Sequence, residues 1–491
     1  MNNLLPLFVV GCGLWLSFLG VWGRLSTFRT GSGAGSAGEP TSRASAAVTV
    51  KAKVPTSLRI KQIGGLFWFC MGIATLWFSG IRDPRTRPNS WTLASVGLFW
   101  VVIGVWEFLT TVPRRVRRQL LSEENGRLAE IVTQHVEQAF PEGHVGLVVG
   151  AIAKDEEILL GFGARQVRGS QPPDADTVFE IGSISKAFTG ILLAQRIESG
   201  ELELDDRIAE LLPEGWSLSE PAREITLRHC TTHTSGFPRL PANLLGISDV
   251  FHMLLGGDPY RDYSEEEFRN ALATVKLTCD PGTEWGYSNF AAGLLGFVLA
   301  TQNGTDYETL VTSKICQPLG MHRTTITNDD WLREHMPANY RFVLNLGPAS
   351  FGLKSDEWQL PNHLAGAGAI RSTGRDMMTF LKANMGLIPT PIDAAIQRSH
   401  QVLFQERADR AMGMNWIRSF ESAISQNIIW HNGGTGGFRT YLGFTEDHQY
   451  GVFVLSNTAI VGVDALAAGI LKTLVRDQGP VSLPQSMATP R

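Results

Sequence analysis

The stretch Glu180-Ile-Gly-Ser-Ile-Ser-Lys-Ala-Phe-Thr-Gly190 decides how the chain is read. A short apolar run (Val178, Phe179, Ile181) ends at Gly182, and helical periodicity follows through Ile184, Phe188, Ile191, Leu192 and Ile197. Ser183 thus opens a helix, and Lys186 lies one turn later on the same face, about 5–6 Å away between Cβ atoms. Backbone N–H groups at such an end lack intrahelical partners, and the helix dipole favours negative charge there. A hydroxyl beside an amine able to take its proton makes a candidate nucleophile. Taken alone, Ser-x-x-Lys also describes a helix cap next to a solvated lysine, so the distant parts of the chain must decide.

At 491 residues the chain is too long for one small core. A formal net charge of −4 gives no case for nucleic-acid binding. The five cysteines (Cys12, Cys70, Cys230, Cys279, Cys316) form no C-x-x-C pair, which argues against both a disulfide framework and a zinc site.

The N-terminal region, residues 1–118, is apolar and basic by turns. Residues 4–23, 63–81 and 91–112 are each long enough to cross a bilayer, so three transmembrane helices and a lipid partner are expected. Span one lacks a basic start and a small-x-small cleavage site, which favours an uncleaved anchor. The linker 24–62 carries Gly31-Ser-Gly-Ala-Gly-Ser-Ala-Gly38; with no strand before it and no helix after, it reads as flexible chain rather than a phosphate cradle. Seven basic residues in this linker and four after span three would hold the C-terminal domain in the cytoplasm by the positive-inside rule.

From residue 119 to 476 the composition is that of a soluble domain, with a disordered tail expected over 477–491. Residues 121–140 read as an amphipathic helix. Residues 144–166 alternate around the polar break Lys154-Asp-Glu-Glu157, a hairpin signal. Helices are expected over 183–199, 226–233, 264–274, 288–302, 306–317, 373–385 and 463–475, and strands over 427–431, 438–445 and 451–455. Two early and three late strands suggest one five-stranded antiparallel sheet, flanked by helices and joined to a mostly helical lobe. The insert 239–263 follows the turn His233-Thr-Ser-Gly236, where a lid would sit. His229 and His233 stand at i and i+4, but the glutamate of H-E-x-x-H is replaced by Cys230, which speaks against metal.

Two further segments bear on Ser183. Tyr287, Ser288 and Asn289 lie in a loop just before a helix, and Trp430-His-Asn-Gly-Gly434 lies on a glycine-rich late strand. In order, Ser183-Ile-Ser-Lys186, Tyr287-Ser-Asn289 and His431-Asn-Gly433 resemble the three motifs of the serine β-lactamase/penicillin-binding superfamily, most closely its class C β-lactamase-like branch of D-aminopeptidases, alkaline D-peptidases and esterases. His233-Thr-Ser-Gly236 and residues 365–374 are similar to further blocks of that branch, and the resemblance spans roughly residues 125–475.

The resemblance implies a two-lobed α/β serine β-lactamase/DD-peptidase-like fold and a hydrolase acting on an amide or ester through an acyl-serine. Ser183 is the implied nucleophile, with Lys186 and Tyr287 as the proton-transfer pair; which of them is the base stays open. Asn289 is expected to hydrogen-bond the substrate amide or hold Lys186, and His431 and Gly433 to bind or orient substrate, with His431 turned to Tyr287 or to the substrate. The backbone N–H groups of Ser183 and Gly434 are expected to form the oxyanion hole, and no metal or cofactor is implied. β-Lactamases of class C typically carry Lys-Thr-Gly where this chain has His-Asn-Gly, a version similar to that of D-peptidases, so peptide or ester substrates are favoured over efficient β-lactam hydrolysis. A membrane sensor that is acylated, or binds cell-wall fragments, without turnover is the alternative. The family works mostly outside the cytoplasm, against the charge count of the linker, so a bacterial cytoplasmic-membrane location is expected with the side of the domain open.

Overall fold

The computed structural model describes residues 118–120, 126–140, 145–167, 171–246, 253, 255–344, 351–459 and 461–477. The three expected spans, their linker and the chain after Asp477 lie outside these residues. Among the described residues no helix is long and apolar enough to cross a membrane.

The sheet is built from both ends of the domain, as expected, but it is larger. Its early strands are β1 (Arg118–Leu120), β2 (Leu147–Ala153) and β3 (Glu156–Phe162); β4 (Val178–Glu180) belongs to a separate ladder, with β7 (Arg371–Thr373), and β5 (Tyr340–Leu344) pairs with β6 (Phe351–Lys354). The late strands are β8 (Phe404–Arg407), β9 (Arg410–Met412), β10 (Ile417–Glu421), β11 (Gln426–Gly434), β12 (Arg439–Thr445) and β13 (Tyr450–Ser456). The nine strands run in the order β1-β3-β2-β13-β12-β11-β10-β9-β8, every neighbour antiparallel. The expected five-stranded sheet is its centre. The strands it omits are short and lie at or near the two edges: Phe404–Arg407 alternates half-buried with exposed, and Arg418, Ser419 and Glu421 break any apolar pattern in β10. Edge strands protected by charge look like loop in a sequence.

The central strands read as continuous apolar runs because both their faces are covered. On β2, Leu147, Val149 and Ala151 join one core, while Val148 and Ile152 join the other. Five helices frame this arrangement: α1 (Arg127–Ala139), α2 (Ser185–Glu198), α3 (Asn289–Gln302), α4 (Gly374–Asn384) and α5 (Val463–Asp477). α1 and α5 cover one face with Leu128, Val132, Leu466 and Ile470. The helical lobe covers the other, centred on α3, which is buried without interruption from Phe290 to Ala300. A helix that is apolar all round belongs in such a centre. The described parts of 239–263 are tied to the body: Leu244, Tyr260 and Tyr263 are buried, and Asp258 accepts from the backbone N–H of Gln359 at 2.8 Å. Phe251 and Leu254 lie outside the described residues.

Candidate active site

Between Thr177 and Ala194 every residue is buried except Ser183. β4 delivers the chain to Gly182, whose φ of +52° turns it into a short 3₁₀ turn, Gly182–Ile184, that continues as α2. A left-handed residue there suits glycine. Lys186 follows one turn on, fully buried, with its Nζ hydrogen-bonded to Ser183 Oγ at 3.0 Å and donating to the Ala367 carbonyl. Burial, with the nearby Arg239 cation adding to it, pushes the Lys186 ammonium well below its ordinary pKa. The segment 365–374 thereby acquires a physical role. Its backbone anchors Lys186 through Ala367, takes a hydrogen bond from Thr189 at Gly366, and donates from Ile370 N to Ser185 Oγ.

Tyr287 comes from the loop just before α3 and closes the group. Its ring centroid lies 5.0 Å from Lys186 Nζ and 5.0 Å from Arg239 Cζ. Burial pushes its hydroxyl up to about 12, although a hydrogen bond with Ser183 and the cations Arg239 and Arg439 pull the other way. Two histidines flank it, His233 at 4.5 Å and His431 at 6.3 Å between ring centroids. His431 donates from Nδ1 to the Asn432 carbonyl at 2.6 Å, so its neutral ring keeps an acceptor at Nε2, which is buried and unpartnered among the described residues. Burial and Lys186 hold its pKa down at about 3. His233 is the converse: Nδ1 accepts from Ser288 N at 3.3 Å, leaving a buried Nε2 donor without a partner among the described residues. His229 caps its own helix by accepting from Thr226 N at 3.2 Å. The i, i+4 pair of histidines therefore serves two unrelated backbone positions.

The end of β11 runs against the turn that carries Ser183. Thr440 Oγ1 donates to Ile181 O at 2.8 Å, and a Cβ on Gly433 would stand 2.0 Å from that same oxygen. A Cβ on Gly182 would stand 2.6 Å from Gly434 N. Thr435 N bonds Phe438 O across the β11–β12 hairpin, so by antiparallel alternation the preceding pair, Gly434 with Arg439, points its N–H and C=O groups away from β12. β10 reaches only as far as Trp430, which leaves the Gly434 N–H on an unpaired edge facing the Ser183 turn. Asn289 opens α3, with its backbone N bonded to Arg239 O at 2.9 Å. Its side chain meets the Tyr260 hydroxyl, and its Oδ1 is buried without a partner among the described residues. Lys186 is held by Ala367 rather than by Asn289.

The structure thus gathers Ser183, Lys186, Tyr287, Asn289, His431, Gly433 and Gly434 in one place and adds His233, Ala367 and Arg239. All three additions lie in segments already singled out in the sequence, Arg239 as the first residue of the insert 239–263. A separate cavity of about 480 Å³, between Glu198 and Lys314 at the far end of α2, shares no residue with the site.

The Beta-lactamase family model matches residues 131–475. Over 377 residues the chain is 26% identical to the D-alanyl-D-alanine-carboxypeptidase/endopeptidase AmpH of Escherichia coli K12, covering 73% of this chain and 92% of that protein. It is 23% identical over 354 residues to a β-lactamase of Yersinia enterocolitica, covering 64% of this chain and 83% of that protein. The structure of a β-lactamase/D-alanine carboxypeptidase from Yersinia pestis, complexed with citrate, superposes with a TM-score of 0.58 at 24% identity, covering 71% of this chain and 99% of that one. That likeness shows the serine β-lactamase/DD-peptidase fold.

Proposed function

Because the chain belongs to the β-lactamase family and is a serine hydrolase of that kind, we propose that Ser183 is its nucleophile and that D-amino-acid peptides or related esters are its substrates. One observation carries the reading: a buried lysine, driven toward its neutral form, sits 3.0 Å from the only accessible residue of an otherwise buried segment.

Ser183 Oγ attacks the acyl carbonyl, forming the ester bond as the amide or ester bond of the substrate breaks. Its proton passes to the Lys186 amine, 3.0 Å away, which keeps its hydrogen bond to Ala367 O while its lone pair turns toward Ser183. Tyr287, kept protonated by its high pKa, gives its proton to the leaving group and is reprotonated by the Lys186 ammonium, which restores both groups. Water then cleaves the acyl-serine by the reverse proton route. The Ser183 and Gly434 N–H groups stabilise the oxyanion, each such donor contributing about 3–4 kcal/mol in comparable sites. Asn289 Oδ1 and His431 Nε2, two buried acceptors without partners among the described residues, are the groups that would meet substrate N–H or O–H donors. His431 is neutral, unlike the lysine of a class C β-lactamase, and together with the AmpH likeness this favours D-peptides over β-lactams.

Membrane anchoring through residues 4–23, 63–81 and 91–112 remains part of the proposal on the strength of those apolar runs alone. The site assignment is tested by Ser183→Ala. A fluorescent acylating probe should label the wild type and not the variant, and a peptide ending in D-alanyl-D-alanine should be turned over repeatedly by the wild type. Labelling that survives in Ser183→Ala sinks the nucleophile assignment; a single stoichiometric burst without turnover would instead favour an acylated sensor.

A further inference from the structure

The positive charges around the site are unevenly committed. Arg439 is bonded to Asp464, Arg410 to Glu406 at 3.1 Å, and Arg371 to Glu180 at 3.4 Å. Lys186 is buried and tends to neutrality, and His431, on the strand where the resembled β-lactamases present a cationic lysine, is neutral as well. Arg239 differs from all of these. It is exposed, it has no ion-pair partner among the described residues, and its guanidinium stacks over the Tyr287 ring at 5.0 Å. Its field reaches Lys186, Tyr287, His233 and Tyr260, so it looks onto the same space as the reacting groups. Its backbone carbonyl accepts from Asn289 N at 2.9 Å, which ties the residue to the start of α3.

We infer that Arg239 is a specificity-determining residue that receives a carboxylate on the leaving-group side of the substrate, adjacent to the scissile bond. The inference rests on the acyl-serine reading of Ser183. A planar guanidinium already oriented by an aromatic face binds a carboxylate through two parallel hydrogen bonds at small ordering cost. The cation that a β-lactamase would place on the strand at position 431 is here supplied from across the cleft. A substrate with a free C-terminal carboxylate satisfies Arg239, and one ending in an amide leaves it unmatched.

The experiment uses the full chain and two peptides identical except at the C-terminus: one ends in a free D-alanyl-D-alanine acid, the other in its carboxamide. The readout is the ratio of their kcat/KM values within each variant, because any effect of the Arg239 charge on Lys186 then divides out. The wild type should prefer the acid by about 10- to 100-fold, the range of a hydrogen bond to a charged group. Arg239→Gln should bring the ratio close to one, and Arg239→Lys, which keeps the charge and loses the fork, should lie between. A wild-type ratio near one overturns the inference. So does an unchanged ratio in an Arg239→Gln protein that still takes the acylating probe at Ser183. Failure of the wild type to take the probe would overturn the acyl-serine reading itself, and with it this inference.

Discussion

Gly182→Ala tests the reasoning about the oxyanion site more sharply than any change to a catalytic side chain. Two costs follow from the structure and they separate. The first is conformational: a φ of +52° places alanine in the left-handed region, at about 1–2 kcal/mol. The second is steric and falls on function, since the new Cβ would stand 2.6 Å from Gly434 N and must be relieved by an opening of about 0.8 Å to reach ordinary contact. The atoms in the way are backbone, so no side chain can rotate aside. A displacement of that size at a reacting centre costs on the order of 100-fold, and loss of one oxyanion donor about 100- to 1000-fold. Gly182→Ala should therefore lower the second-order rate of Ser183 acylation by about 100- to 1000-fold, while thermal melting falls by only a few degrees. Gly200→Ala is the control: its φ is +71°, but nothing lies within 4 Å of the new Cβ. It should show a similar loss of stability with acylation unchanged. An acylation rate for Gly182→Ala within threefold of wild type, measured by stopped-flow probe fluorescence, would refute the apposition of Gly182 and Gly434 as the basis of the oxyanion site.

Two other perturbations follow from charge burial. Lys186→Arg places a permanently protonated group where burial drives the amine toward its neutral form, so acylation should fall by about 100- to 10,000-fold at every pH tested, with no recovery on raising the pH; recovery in alkali would contradict the proposed base. Glu180, buried against Arg371, has its carboxyl pushed above the ordinary range by desolvation, only partly offset by Arg371 and by its hydrogen bonds. The folded state thus binds this proton more tightly than the unfolded state. The associated stability is fully present below the ordinary carboxylate pKa and is lost as pH rises through the folded value. Urea unfolding at pH 5 and pH 8 should show that Glu180→Gln removes part of the wild-type decline; an identical pH dependence in the two proteins would show that Glu180 stays ionised in the fold.

What was legible in the sequence follows the range of the interactions involved. The Ser183–Lys186 pairing is fixed within one helical turn, so spacing alone predicts it, and the 3.0 Å contact agrees. The central strands were legible because burial on both faces leaves unbroken apolar runs, whereas β8, β9 and β10 are three to five residues long and broken by charged and polar side chains, so they leave no such mark. The members of the site that escaped are those whose role arises only when distant segments meet. His229 and His233 form a metal-like pair when viewed along the chain, but one is spent on Thr226 and the other lies against Tyr287, more than fifty positions later. The Ala367 carbonyl has no side-chain chemistry to advertise, yet it fixes the amine that faces Ser183. Arg239 looks like an ordinary surface arginine until Arg439, Arg410 and Arg371 are each found paired and it alone of the four is left without an ion-pair partner among the described residues. A sequence lists charges without their partners, so an unmatched charge in a site becomes visible only once the partners of its neighbours are known.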